Sequence, residues 1–344
     1  MAKTSVALEI TEESVRAVEM TTGRSPALVA AGEVPLPREA AKDSEVLDPD
    51  AVAVALRQLW TSAGIKGRRV TVGVGSRRIL VREYTTQAMK PELLRQALPF
   101  QVQDLLPVPV AQAVLDFYPL TQTGDMISGL LVATVSETIE QIITTLGKAK
   151  LQADAVDLVP FGLARIAKRV AEPGETVAMI HIGDHTSHVV AATDGIPHFV
   201  RIIPVDVATT AARREELAAP TPELELEEML ESVPPRPTAA GTRAAMRSNG
   251  GANSPAVNDL VARLRSTIAF FAARPGAPQV TRVCVSGAGY LAPGVAETLI
   301  RAFDLPVLPV RLDQLINVGK HPLPDELAFN TVATAGVLFG EASR

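Results

Sequence analysis

A single cysteine, Cys284, is all that the sequence offers to thiol chemistry. One thiol cannot close an internal disulfide, and it lies in an apolar, strand-like run, so a reducing compartment is expected. Long apolar runs are also missing. None approaches the roughly 18 residues that a membrane-spanning helix requires. The first residues carry Lys3, then Glu9, Glu12 and Glu13, where an export signal has an apolar core. These absences predict a cytoplasmic protein with no membrane span of its own, which meets a membrane through a partner. No basic patch stands out either. The net charge is −5 with the signs mixed, which argues against bulk nucleic-acid binding. The five histidines are scattered without metal-ligand spacing, and no Ser-His-Asp or Cys-His grouping is visible.

What is present reads as an α/β protein. At 344 residues and 47% apolar composition, the chain is long for one core, so two lobes are expected. The organising stretch is VAMIHIGDHTSHVVAATDGIPHFVRIIPV (177–205). It reads as three short strands, the second and third joined by Asp194-Gly195, a dipeptide suited to a tight hairpin. The chain's start repeats the plan in SVALEI, SVRAVEM and ALVAAGEV. Each unit is followed by an amphipathic helix, about Asp48 to Ala63 and about Ala256 to Ala273. Each helix leads into a β-branched strand, RRVTVGVG (68–75) or TRVCVSGAG (281–289). Asp48 or Asp50 suits the cap of the first helix, and Gly64 its end. Such weak self-similarity argues for two related halves.

Residues 77–150 interrupt this plan with a β-α-β-β-α module. Its strands are RRILVREYTT, AVLDFYPLT and MISGLLVATV. A helix from Met89 to Leu105 is expected to be interrupted at Pro99, and a second helix, Glu137 to Lys150, to be capped by Ser136. The expected division is a first lobe of 1–76 with 151–175, the module at 77–150, and a second lobe of 176–344. Residues 210–252 mix an acidic run, a proline cluster and small polar residues, the composition of a flexible insert. Helices are further expected at Pro293 to Phe303 and Leu327 to Leu338.

Four stretches carry a family resemblance. Glu9-Ile10-Thr11-Glu12-Glu13-Ser14-Val15-Arg16-Ala17-Val18-Glu19 is similar to the pattern D-I-G-S-x-S-x-K-A-V-E. LPFQVQDLLPVPVAQAVLDFYPL (98–120) is similar to P-[YF]-E…[IL]-P-[FV]-P…V-x-D-[YF], the most specific match. HIGDHTSHVVAATDGIPHFVR (181–201) and VSGAGYLAPGVAETL (285–299) complete the set. The chain resembles the PilM family of type IV pilus assembly proteins and, more distantly, FtsA. The resemblance implies an actin-like (ribonuclease H-like) two-lobed fold with an inserted module.

It also implies a nucleotide clamped between two hairpin turns, with Mg²⁺ held by strand-end carboxylates. The matching positions are Glu9, Ser14, Arg16, Gly183, Thr186, Ser187, Gly287 and Gly289. Three departures weaken that expectation. Thr11 replaces a turn glycine, Glu12 and Glu13 put negative charge where phosphates lie, and His181 replaces an aspartate. ATP and Mg²⁺ are therefore expected to bind weakly or not at all, with no catalytic residue and no metal ligand assigned. Structural readings stay open beside these: a salt-bridged Glu9, a hydrogen-bonded His181, an Arg16 that is a surface cation or a phosphate contact.

The resemblance implies as partner the N-terminal tail of a PilN-like inner-membrane protein, with other pilus components and self-association also open. The groove for the tail is placed on Phe100, Leu105, Leu106 and Pro107; Phe100, Leu105 and Leu106 also suit the module's core. The leading expectation is a scaffold at the inner face of the membrane. The alternatives are an active ATPase whose nucleotide state gates the partner, and an FtsA-like filament former.

Overall fold

The computed structural model describes residues 3–23, 25–204, 209, 211, 254–319 and 322–340. The stretch 210–252, read above as a flexible insert, lies outside the described residues except for Ala211.

β1 (Thr4–Ile10) and β2 (Ser14–Thr21) pair antiparallel, and β3 (Leu28–Pro35) extends them on the β2 side. β1 from Val6 on and β2 up to Met20 are buried on both faces; most of their residues are apolar, with Glu9, Ser14, Arg16 and Glu19 buried among them. A two-stranded hairpin follows, β4 (Ala41–Lys42) and β5 (Glu45–Val46). Asp43 and Ser44 turn it with φ of 51° and 63°. No expectation covered this hairpin. It matters below, because it carries Asp43.

α1 (Pro49–Ala63) is capped by Asp48, whose carboxylate accepts from the backbone N–H groups of Asp50 and Ala51. Gly64 ends it at φ 68°, a left-handed conformation that costs glycine no Cβ clash. Val52, Leu56, Leu59 and Trp60 lie on its buried face. Each leucine contributes about 1.5–3 kcal/mol on burial. β6 (Arg69–Val74) then adds to the other side of β1, in parallel.

The module holds β7 (Leu80–Gln87), α2 (Pro91–Gln101), β8 (Ala113–Thr123), β9 (Met126–Val135) and α3 (Ser136–Lys148). Its three strands form a separate sheet in the order β7-β9-β8, over a small core of Leu94, Leu98, Val102 and Leu131. Two expectations are corrected here. Pro99 does not interrupt α2. Its ring removes a bond to the carbonyl of Arg95, an exposed residue, and the helix closes one turn later through Val102 N–H to Leu98. Ser136 does not cap α3 but is its first residue. β9 runs straight into the helix, leaving no side-chain cap bond.

β10 (Gln152–Leu158) completes the first sheet, ordered β10-β6-β1-β2-β3, and α4 (Val159–Val170) leaves it. β11 (Thr176–Ile182), β12 (Thr186–Thr193) and β13 (Ile196–Pro204) repeat the antiparallel unit. Asp194 and Gly195 turn the second hairpin at φ 52° and 85°.

α5 (Pro255–Ala272), β14 (Val280–Ser286), α6 (Val295–Ala302), β15 (Val307–Pro309), the short α7 (Leu312–Leu315) and α8 (Asp325–Gly336) follow. The second sheet is ordered β13-β12-β11-β14-β15. The closing helix thus starts and ends two residues before the expected Leu327 to Leu338, with Asp325 and Glu326 in its positive-dipole first turn. α4 and α8 cross between the two sheets. A Cβ on Gly336 would lie 2.7 Å from the Gly162 backbone, so glycine sets how closely they approach. This pair fixes the turn of β1–β2 opposite the turn of β11–β12.

Candidate functional site

The facing turns are Thr11–Glu13 and Gly183–His185. The first is closed on itself. Thr11 N–H and Oγ1 both donate to the Ser14 carbonyl (2.9 and 3.0 Å), and Ser14 N–H donates to Thr11 Oγ1 at 3.1 Å. The threonine hydroxyl thus takes up the Ser14 N–H, which a glycine at this position would leave free. The second turn is closed by Gly183 N–H donating to the Thr186 carbonyl at 3.0 Å.

Between the turns lies a cavity of about 40 Å³. Its lining includes Glu9, Glu12, Glu13, Arg16, Asp43, Gly183, Asp184, His185 and Thr186. Side chains cross it. Arg16, 1% exposed, donates through Nη2 to Asp184 Oδ2 at 3.4 Å and through Nε to Glu33 Oε1 at 3.1 Å. Glu13 Oε1 meets His185 Nε2 at 2.5 Å. Asp43 accepts from Ser76, from the backbone N–H and Nε of Arg77, and, at a long 3.5 Å, from Thr186 Oγ1. Thr209 donates to Asp184. Glu12 accepts from Asp43 N–H at 3.4 Å.

Behind this layer sits a second one. Ser14 Oγ donates to Glu33 at 2.7 Å, and Asn330 Nδ2 donates to the other Glu33 oxygen at 3.2 Å. The Asn330 carbonyl oxygen accepts from Ala288 N–H at 2.7 Å, which ties α8 to the Gly287–Gly289 turn. That turn needs both glycines. A Cβ on Gly287, which has φ 89°, would lie 2.2 Å from the Ile182 carbonyl, and one on Gly289 would lie 2.3 Å from the Ile182 side chain.

Electrostatics follow from burial. Glu9 is buried at the end of β1, where desolvation raises its pKa against the pull of Arg16 and a 2.7 Å hydrogen bond from Thr334. Burial alone would raise Glu33 as well, but the Arg16 charge and the bonds from Ser14 and Asn330 win and hold it lower. Burial lowers the Arg16 guanidinium, but the surrounding carboxylates more than reverse this. His181 is driven well below the usual imidazole range by burial, by His188 and by Arg16. Its Nδ1 shares a 3.0 Å bond with Ser286 Oγ. Burial pushes His188 down to about 4. Both rings are neutral at pH 7.

Of the residues singled out in the sequence, Glu9, Arg16, Gly183 and Thr186 line the cavity, together with His181. Ser14 lies just behind it. Ser187 is fully buried with its hydroxyl unpartnered, and Gly287 and Gly289 serve the neighbouring turn. Arg16 is neither a surface cation nor free for a phosphate. Sequence reasoning passed over Asp43, Asp184, His185, Glu33, Asn330 and Thr334. The adjacency of Asp184 to the turn glycine was a readable signal; the others had none.

On the module, Phe100 is 80% exposed and Leu105 39% exposed, so neither is core. Pro107 is exposed beside them, and Leu106 packs partly against the module's core.

Comparison with known proteins gives a consistent picture. The family model described as type IV pilus assembly protein PilM matches residues 7–201. None of the curated proteins compared with the chain matches it. Among solved structures, the chain is similar to one of a PilM–PilN type IV pilus biogenesis complex. The two share 21% identity at a TM-score of 0.78, over 99% of each chain. It is also similar to the ethanolamine utilization protein EutJ from Carboxydothermus hydrogenoformans, with 13% identity, a TM-score of 0.54, and coverage of 99% of this chain and 91% of that one. The architecture is the actin-like ATPase fold. With more than half of its length matched by the family model, the chain belongs to the PilM family of type IV pilus assembly proteins.

Proposed function

We propose that this protein is a scaffold of type IV pilus assembly, which holds the N-terminal tail of a PilN-like inner-membrane protein and has given up its nucleotide. The observation that carries the reading is the filled cleft. A cavity of about 40 Å³ admits a water molecule. Ligand pockets span about 300–1,000 Å³. Opening the cleft means parting Arg16 from Asp184 and Glu13 from His185. A polyphosphate entering it would then face Glu12, Glu13, Asp43 and Asp184, each costing on the order of 1 kcal/mol or more at 4–8 Å. The residues present do not fit ATP with Mg²⁺.

The partner surface is read on the module. Phe100, Leu105 and Pro107 offer apolar contacts to an extended tail, with Leu106 behind them. The division into two lobes (1–76 with 151–175, and 176–344) and the module at 77–150 belongs to this reading, supported by the module's separate sheet. No helix among the described residues is long and apolar enough to cross a membrane, so the tail supplies the link to it. The ATPase alternative rests on Glu9, retained at the end of β1.

The test is a fluorescence-anisotropy titration of the partner's tail without nucleotide, alongside calorimetry with Mg²⁺-ATP. Tail binding without nucleotide is expected, at least tenfold weaker for Phe100→Asp and Leu105→Asp. No calorimetric binding of ATP is expected. Tail binding that requires ATP, or phosphate release abolished by Glu9→Gln, sinks the scaffold reading and promotes the ATPase.

A further inference from the structure

On the side of the fold away from the facing turns, a cavity of about 910 Å³ opens where β1 begins, β2 ends and α4 ends. The β12–β13 turn, the residues after α8 and one module residue, Tyr118, also line it. Both halves and the module therefore contribute. None of Phe100, Leu105, Leu106 and Pro107, the residues of the proposed tail groove, lines it.

Its chemistry is lopsided. Lys3, Arg165, Lys168 and Arg169 line it against a single carboxylate, Asp194. Arg165 is already engaged, donating to Asp157 and to the carbonyl of Gly336 at 3.1 Å. Asp194 is engaged too, accepting from Gly174 N–H at 3.0 Å. Among the described residues, no carboxylate pairs with Lys3, Lys168 or Arg169. Arg169 sits over Phe339, with its Cζ 4.1 Å from the ring centroid, a cation–π contact that holds the guanidinium at the cavity. Between these cations the lining is mixed: Ser5, Thr21 and Thr22 are polar, Ile196 is an exposed apolar side chain, and Tyr118 and Phe339 are half-buried; Met20 and Leu338 also line the cavity but are almost fully buried.

We propose that this cavity is a second docking site, for an acidic peptide segment that sets an apolar side chain against Ile196, Tyr118 and Phe339 and its carboxylates on Lys3, Lys168 and Arg169. A free phosphate fits less well. The three open cations come from two elements and ring a large space, whereas one small anion needs donors converging on a point. A lipid surface fits less well because it is flat and the site is concave. An acidic segment uses both halves of the chemistry, with apolar contact for affinity and charge for orientation and rate.

The experiment uses the full chain and a fluorescein-labelled nonapeptide of alternating glutamate and leucine, with a lysine–leucine peptide as the charge-reversed control. The acidic peptide is expected to bind and the basic one not, with affinity falling as salt rises to roughly 0.3 M. Lys168→Glu combined with Arg169→Glu is expected to weaken binding at least tenfold. Lys3→Glu, at an exposed position just before β1, is expected to weaken it several-fold in a protein of unchanged thermal midpoint. Phe100→Asp is expected to leave it unaltered, which separates this site from the proposed tail groove. Four results would overturn the proposal: no binding of the acidic peptide, equal binding of the basic one, full binding by the Lys3→Glu protein, or displacement of the peptide by inorganic phosphate or by phosphatidylglycerol vesicles.

Discussion

Replacing Arg16 with methionine isolates the clasp across the cleft. Methionine keeps most of the apolar stem and deletes the guanidinium, so Glu33 and Asp184 lose the charge that each faces at 3.1 and 3.4 Å. Their side chains are 20% and 4% exposed, and water cannot make good the loss. Removing one partner of a buried ion pair costs about 3–5 kcal/mol, because a buried charge is left uncompensated. At about 2.1 cal/mol/K per residue of unfolding entropy, that corresponds to a fall in midpoint of roughly 4–7 °C for a chain of this size. The pH dependence carries the sharper signature. The folded-state pKa of Glu33 lies below its ordinary value, because the Arg16 charge and the bonds from Ser14 and Asn330 overcome its burial. Its stabilising contribution is therefore complete above the unfolded carboxylate pKa of about 4.3, and is lost as pH falls through the folded value. The deficit of the variant should be full at pH 7.5 and should shrink as the pH is lowered through the carboxylate range. Urea denaturation at a series of pH values reads this out. A deficit under about 1 kcal/mol at pH 7.5, or one that stays constant down to pH 4, would refute the buried-clasp argument.

Three further outcomes are expected. Glu9→Gln should raise the thermal midpoint at pH 7 and lose that advantage in acid. Burial raises the folded pKa of Glu9, so its charge opposes folding above that value, while glutamine can still accept from Thr334; a lower midpoint at pH 7 would show Glu9 to be net stabilising. Gly287→Ala should cost about 3 kcal/mol or more by chemical denaturation, since a Cβ would lie 2.2 Å from the Ile182 carbonyl at a φ of 89°; a cost below about 1 kcal/mol would mean that the turn yields. For His188, burial lowers the folded pKa to about 4 from an ordinary 6.5. The unfolded chain takes up that proton first, so stability should fall by about 3 kcal/mol as pH drops through this window, and His188→Gln should flatten the slope. An unchanged slope would place the acid sensitivity elsewhere.

The fold was legible where the pattern is local. Asp48 and Gly64 announce both ends of α1, and Asp194-Gly195 announces a hairpin, because the signal and the structure occupy the same few residues. The β4–β5 hairpin was not legible. Its strands are two residues each, and its turn uses Asp43 and Ser44 at positive φ, positions where glycine is the expected marker. Pro99 misled in the other direction, since a proline near the end of a solvent-facing helix costs one hydrogen bond to water rather than the helix. For the site, the departures at Thr11, Glu12, Glu13 and His181 were legible, but not what those residues do. Glu13 meets a histidine 172 positions away, and Glu33 is held by an asparagine 297 positions away. Partnerships at that separation are set by where α4 and α8 hold the two sheets, which no local pattern records.

The same partnerships bear on how one departure makes room for the next. In a nucleotide-dependent version of such a cleft, the ligand's phosphates and metal draw the two turns together, and the protein supplies outward-pointing N–H groups and carboxylates. Here the Thr11 hydroxyl takes up the Ser14 N–H and itself donates to the Ser14 carbonyl. Glu13 pairs with His185 across the gap, and Arg16 with Asp184; on the scaffold reading no phosphate enters between them. His181, at the end of β11 before the second turn, is a neutral ring bonded to Ser286. The contacts that a ligand would make are then made by side chains already present when the chain folds. A closed cleft of that kind has no apo state to be gated, and on the scaffold reading the affinity for the partner's tail should be the same at every ATP concentration.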